Sequence, residues 1–266
     1  MSIELEQQIR VVEDEPTTQE RISGFPWWLV GIIGVLLLMG YVIATNPDFN
    51  RSFRVIVPGI QLTIYTTLVG FAAALIIGLI AGLGRISQNV FIRNLATAYV
   101  EFVRGVPILV LIFTVAFVFV PPLGSLLGIT ISQSSRAIIA LALIYGAYIA
   151  EVFRAGIESI AKGQMEAARS LGMTYVQGMW YIILPQAIRN VLPALGNDFI
   201  AMLKDSSLVS VLAVRDITQL ARLDSGSSFR FRENYLVLTF LYLVMTLLLS
   251  LLLQFIQRRL KQDGER

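Results

Sequence analysis

Residues 55–84 hold no charged side chain, and arginines close the run at both ends, Arg54 and Arg85. A helix needs about 20 apolar residues to cross about 30 Å of hydrocarbon. The run exceeds one crossing and falls short of two. It reads as one long helix with an interfacial lead-in up to Pro58-Gly59. Gly78 and Gly82 form a GxxxG pair within it, which we assign to close packing inside a bundle in preference to a dimer face.

Other apolar runs repeat the pattern. Residues 27–44 are uncharged, with Trp27 and Trp28 placed for an interfacial belt. Asn46-Pro47-Asp48 then reads as a turn, and 85–94 as a short basic loop. A third span is expected over 99–120, stopped by Pro121-Pro122 and followed by an uncharged linker to Ser135. A fourth covers 136–155. The fifth, 190–214, is interrupted by Asp198, Lys204 and Asp205; after a polar loop over 215–232, a sixth runs over 234–257. The expected fold is all-α and polytopic, with six transmembrane helices.

Composition agrees. Hydrophobic residues make up 56% of the 266 and charged ones only 15%, where a soluble domain carries about 25% charge. The chain has no cysteine and no histidine, which excludes disulfides, thiolate and imidazole metal sites, Cys or His nucleophiles and a histidine base. We expect no catalytic residue and no metal site. The net charge of +3 reflects basic loops, with no call for nucleic acid.

Six crossings put both termini on one side. With the N-terminus inside, twelve of the 21 lysines and arginines fall on cytoplasmic segments, six on outer ones and three within or at the edge of helices. The positive-inside rule therefore favours cytoplasmic N- and C-termini. Four outer arginines lie in 215–232, the discrepancy in this topology. Residues 1–26 carry six acids against two bases and read as an acidic, partly disordered cytoplasmic tail, not a cleaved signal.

The longest polar-rich passage in the second half is 163–197, GQMEAARSLGMTYVQGMWYIILPQAIRNVLPALGN. Glu166 to Leu171 favour a helix, and Ala167 and Ala168 offer a surface that another protein can approach closely. Gly172 is placed as a helix stop. Thr174 with Gln177 is a capping-box signature, and Leu184-Pro185 is expected to end the second helix. Two short helices joined at a glycine hinge result.

This passage resembles the EAA loop of ABC importer permeases: Glu166, Ala167, Ala168, then Gly172, then Ile183, Leu184 and Pro185. YVEFVRGVP over 99–107, AEVFRAGIESIAKGQ over 150–164 and LKDSSL over 203–208 are similar to the polar amino-acid subfamily. The resemblance covers roughly 58–259. It implies the transmembrane subunit of a type I importer, a five-helix core with an added N-terminal helix. Implied segments are a tail over 1–26, the added helix and outer loop over 27–54, a permease domain over 55–258 with its coupling loop at 157–189, and a tail over 259–266.

Implied partners in the inner membrane are two cytoplasmic ATP-binding subunits, a second permease (identical or homologous), an extracytoplasmic amino-acid-binding protein and membrane lipid. ATP and magnesium belong to the partner ATPase, which fits the absence here of a GxxxxGK[ST] loop; this chain binds no cofactor of its own. Implied coupling residues are Gly163, Glu166, Ala167, Ala168, Gly172, Leu184 and Pro185. The family often has a glutamine just after RGVP, where this chain has ILVLIF with Leu111 near that position, and Val106 replaces a common threonine. Specificity therefore does not transfer from a relative. A stand-alone carrier or channel, and a membrane anchor for an enzyme, are the rival readings.

Two groups of intramembrane charges remain. Glu101 and Arg104 stand three apart, as do Glu151 and Arg154, and the local text repeats. Cross-pairing of Glu101 with Arg154 and Glu151 with Arg104 serves either an inner gate or a plain structural clamp. Lys204, Asp205, Ser206 and Ser207 either line a pathway at a locally unwound helix or pair for stability, Lys204 with Asp205 or Asp198. Both alternatives stand at this point.

Overall fold

The computed structural model describes residues 27–264. Expectations for the acidic tail, and for side chains beyond 257, lie outside the described residues. The helices are α1 (Trp27–Thr45), α2 (Pro47–Ile56), α3 (Gly59–Arg85), α4 (Val90–Gly105), α5 (Ile108–Leu127), α6 (Gln133–Glu158), α7 (Lys162–Ser170), α8 (Tyr175–Gly178), α9 (Leu184–Asp205), α10 (Ile217–Ser228) and α11 (Phe231–Gly264). All regular structure among the described residues is helical.

The centre of the bundle is the α3–α6 contact, and it rests on small residues. A methyl group added to Gly78 would lie 2.5 Å from Ile149, and one on Gly82 would lie 2.9 Å from the carbonyl of Ala150. The GxxxG pair therefore packs inside the bundle, as expected. Gly146 on α6 returns the contact against Ile77. Without a hydrophobic drive between helices in lipid, such close backbone approach supplies dispersion contacts instead.

Five described stretches are long and apolar enough to cross a membrane: Trp27–Thr45, Pro47–Arg85, Ile108–Leu127, Gln133–Glu158 and Phe231–Gln257. The expected crossing over 190–214 falls on α9, whose polar residues, Gln186, Arg189, Asn190, Asn197 and Asp198 among them, make it less apolar than those five. α9 also packs against α6 and α11, with Gly156 facing Val191 and Gly196 facing Leu253, so helices of the bundle surround it and its polar side chains need not face lipid.

Several expected boundaries are corrected. Asn46-Pro47-Asp48 is a helix start, not a turn: the Asn46 side chain accepts from the Asp48 amide at 3.0 Å and Pro47 occupies the first turn of α2. The basic loop is shorter, because Asn89 caps α4 through the amides of Phe91 and Ile92. The expected span over 99–120 is two helices, broken where Val106 is extended before Pro107. The polar loop over 215–232 contains α10, capped by Asp216.

Two proline expectations fail for one reason. Pro121-Pro122 and Pro185 were each expected to end a helix, since a proline ring clashes with the carbonyl four residues earlier. Each is preceded by a wider π-helical stretch, Thr114–Phe119 and Met179–Ile183. Those stretches contain the carbonyls four residues before Pro121, Pro122 and Pro185. The helix widens, admits the ring and continues.

Candidate functional site

The candidate loop begins where α6 ends at Glu158. α7 carries Gly163, Glu166, Ala167 and Ala168 on a single short helix. Ala168 is buried and sits against Gly178, while Glu166 and Ala167 face outward. Its end is a Schellman stop: the Gly172 amide donates to the Arg169 carbonyl at 2.9 Å and the Met173 amide to that of Ala168 at 3.2 Å. Gly172 takes φ +81°, which glycine adopts without the penalty that a Cβ brings. Two residues on, Thr174 and Gln177 form the reciprocal capping box, at 2.8 and 3.3 Å.

Leu184 and Pro185 do not close a short helix. They open α9, which runs on to Asp205. Leu184 and Ile183 are buried with Ile157 of α6 in one small apolar cluster. Met165 of α7 packs against the same cluster, so α7 touches the end of α6 and the start of α9 together.

The charged pairs meet beside this loop, in an arrangement that differs from the expected cross. Glu151 is the hub. It accepts from Arg85 of α3 at 2.5 Å and from Arg154 one turn on, and lies 4.0 Å from Arg104 of α4. The Glu151–Arg104 pairing therefore forms. Glu101 does not reach Arg154; it pairs with Arg85 at 3.2 Å, and Arg154 takes Glu158 instead, at 2.5 Å. In the sequence Arg85 marks only the end of an uncharged run and the start of a basic loop. Its pairing depends on the end of α3 lying beside α4 and α6; Arg54, which closes the same uncharged run at its other end, makes no ion pair among the described residues.

Lys204 and Asp205 end α9, and Ser206 and Ser207 open a 3₁₀ turn over Ser206–Leu212. The helix tightens here instead of unwinding. Asp205 accepts from the hydroxyl of Tyr145 on α6 at 2.7 Å, while Ser206 turns inward to the Leu203 carbonyl at 2.7 Å. Among the described residues Lys204 makes no ion pair with Asp205 or Asp198, and one Asp198 oxygen is buried without a partner. Tyr145 was missed, although a phenol inside an apolar helix needs an acceptor. Leu111 is buried in the main core. Among the described residues no cluster of acidic side chains has metal-binding form.

Residues 74–263 match the family model for the inner-membrane component of binding-protein-dependent transport systems. A probable glutamine ABC transporter permease protein of Bacillus subtilis, GlnM, is 37% identical over 80% of this chain and 96% of its own. The L-cystine transport system permease protein TcyB of the same organism is 35% identical over 84% and 94%. Among solved structures, an amino acid ABC transporter crystallised with histidines has a chain 38% identical, with TM-score 0.69, over 77% of this chain and 94% of that one. The chain belongs to the family of inner-membrane permease components of binding-protein-dependent ABC amino-acid importers, whose ATP hydrolysis resides on a separate subunit.

Proposed function

We propose that this permease moves polar or charged amino acids inward by alternating access, driven through α7. The carrying observation is the form of α7: a short helix with Glu166 and Ala167 exposed, stopped by a Schellman motif and touching the end of α6 and the start of α9. One ATPase subunit docks at the α7 of each permease, two in the complete transporter, and ATP and magnesium stay with them. A second permease and an extracytoplasmic binding protein complete the assembly, with both termini cytoplasmic and α1 an added helix. The relatives named for glutamine and cystine support the polar substrate class.

In this reading Gly163, Glu166, Ala167, Ala168 and Gly172 receive the push. Leu184 and Pro185 pass it to α9, where Lys204, Asp205, Ser206 and Ser207 border the pathway. The network of Glu101, Arg104, Glu151 and Arg154, with Arg85, latches the adjoining end of the bundle. The test is ATP-dependent uptake by proteoliposomes holding the complete transporter. Ala167→Arg on the exposed face of α7 is expected to lower uptake at least tenfold, together with the amount of ATPase subunit that co-purifies. Uptake without ATP, or full uptake by the A167R variant, overturns the reading in favour of a stand-alone carrier.

A further inference from the structure

Beside α7 lies a cavity of about 660 Å³, and the coupling reading gives no role to two of the cations on its rim, Arg93 and Lys162. Its floor is apolar, made by Ile157, Ile160, Met165, Met179 and Ile183. Four charged side chains also line it. Arg85 is engaged by Glu101 and Glu151, and Glu158 by Arg154. That leaves Arg93 and Lys162, both exposed and without an ion pair or side-chain hydrogen bond among the described residues.

Two unmatched cations over an apolar floor are complementary to an amphiphile with a negative head. The surroundings say where such a ligand comes from. Phe91, two residues from Arg93, is 76% exposed, and Trp180, next to Met179, is 58% exposed. Indole side chains are enriched at the lipid–water boundary, and exposed apolar ones are solvated by lipid. Basic pockets between membrane helices at that depth bind lipid head groups.

We propose that this cavity binds an anionic phospholipid of the adjoining leaflet, its phosphate at Arg93 and Lys162 and its glycerol and upper acyl carbons along Ile157, Ile160 and Met179. The site rests on the proposed topology only for which leaflet it serves. Each basic side chain near an anionic surface gives roughly fivefold in affinity, so a preference of roughly tenfold or more over a zwitterionic lipid is expected. The lipid wedges between α4 and α7 and so steadies the coupling helix.

The full chain is placed in bilayers of equal phosphatidylglycerol and phosphatidylcholine and then extracted in mild detergent. Retained lipid is measured by mass spectrometry, a readout independent of uptake. The wild type is expected to retain phosphatidylglycerol selectively, and Arg93→Gln with Lys162→Gln to lose the preference. Arg51→Gln with Arg54→Gln, the same charge change on α2, keeps it. Ile160→Asn, which leaves both cations in place and adds no charge, weakens it too, and Arg93→Lys keeps it, which separates loss of charge from poor folding of the glutamine variant. Glycerol phosphate at millimolar concentration does not displace the lipid; displacement overturns the acyl part of the site. Equal retention by R93Q/K162Q and wild type overturns the proposal; if the same variant, expressed with the complete transporter, also co-purifies with less ATPase subunit, the cations belong to a protein interface.

Discussion

α1 and α6 are both able to cross a bilayer, yet only 6% of the apolar window of α1 is buried against 61% of that of α6. α1 is the more hydrophobic of the two. In water that ordering would be reversed, since burial follows hydrophobicity. In lipid the tails are as apolar as leucine, so an unbroken hydrophobic helix is solvated by the membrane and small residues mark the protein contact instead. Gly146 and Gly156 of α6 each have a side chain pressed against them, Ile77 and Val191, whereas Gly31 and Gly34 of α1 have nothing within 4 Å. The same residue type thus has different work in the two helices, and alanine substitutions separate the cases.

Gly78→Ala, on the face of α3 that meets α6, is the largest expected effect. The added methyl meets Ile149 at 2.5 Å and the Gly146 carbonyl at 3.1 Å. Isoleucine is stiff at χ1 and cannot swing away cheaply, so overpacking costs up to about 3 kcal/mol. A fall in the thermal midpoint of the detergent-purified chain measures it. An unchanged midpoint would break the claim that α3 and α6 approach through glycine.

Next is Glu151→Gln, which removes the carboxylate shared by Arg85, Arg104 and Arg154. The Glu151 side chain is 27% exposed, so the cost lies between an exposed pair and a buried one, about 2 kcal/mol. Glu101→Gln has one partner and a side chain 60% exposed, and loses less than about 1 kcal/mol. A double-mutant cycle with Arg85→Gln is expected to give a larger coupling to Glu151 than to Glu101. Equal couplings would deny Glu151 its place as hub.

Gly172→Ala tests glycine for a third reason. Nothing stands within 4 Å of an added methyl, but φ is +81°, so the cost is conformational alone, about 1 kcal/mol. The stop of α7 should loosen while the α3–α6 core is untouched. Hydrogen exchange is expected to speed up at the amides of Gly172 and Met173 and to stay unchanged along α6.

What the sequence made legible follows from how local each signal is. The Schellman glycine at Gly172, the Thr174–Gln177 capping box and the GxxxG pair at Gly78 and Gly82 depend on a few neighbouring residues, and all three are present as read. The helix ends at Pro121-Pro122 and Pro185 were misread because the π-helical widening that tolerates proline has no marker in the text. The ion pairs were half legible. Glu151 with Arg104 followed from a local repeat. Arg85 with Glu101 needs the end of α3 to lie beside α4, which is a property of the packing. Tyr145 with Asp205 likewise joins residues 60 apart in the chain.

Gly34→Ala in α1 closes the series, with the smallest expected effect and the opposite sign. Gly34 is helical, φ is ordinary, and an added methyl meets nothing within 4 Å. Neither the space argument of Gly78 nor the backbone argument of Gly172 applies. What remains is helix propensity, where alanine is favoured over glycine by up to about 1 kcal/mol. That preference is muted here, because lipid already disfavours any unpaired backbone group. The thermal midpoint is expected to stay level or rise slightly. A clear fall would mean that α1 holds a close protein contact through Gly34, on a face that the single chain leaves to the membrane.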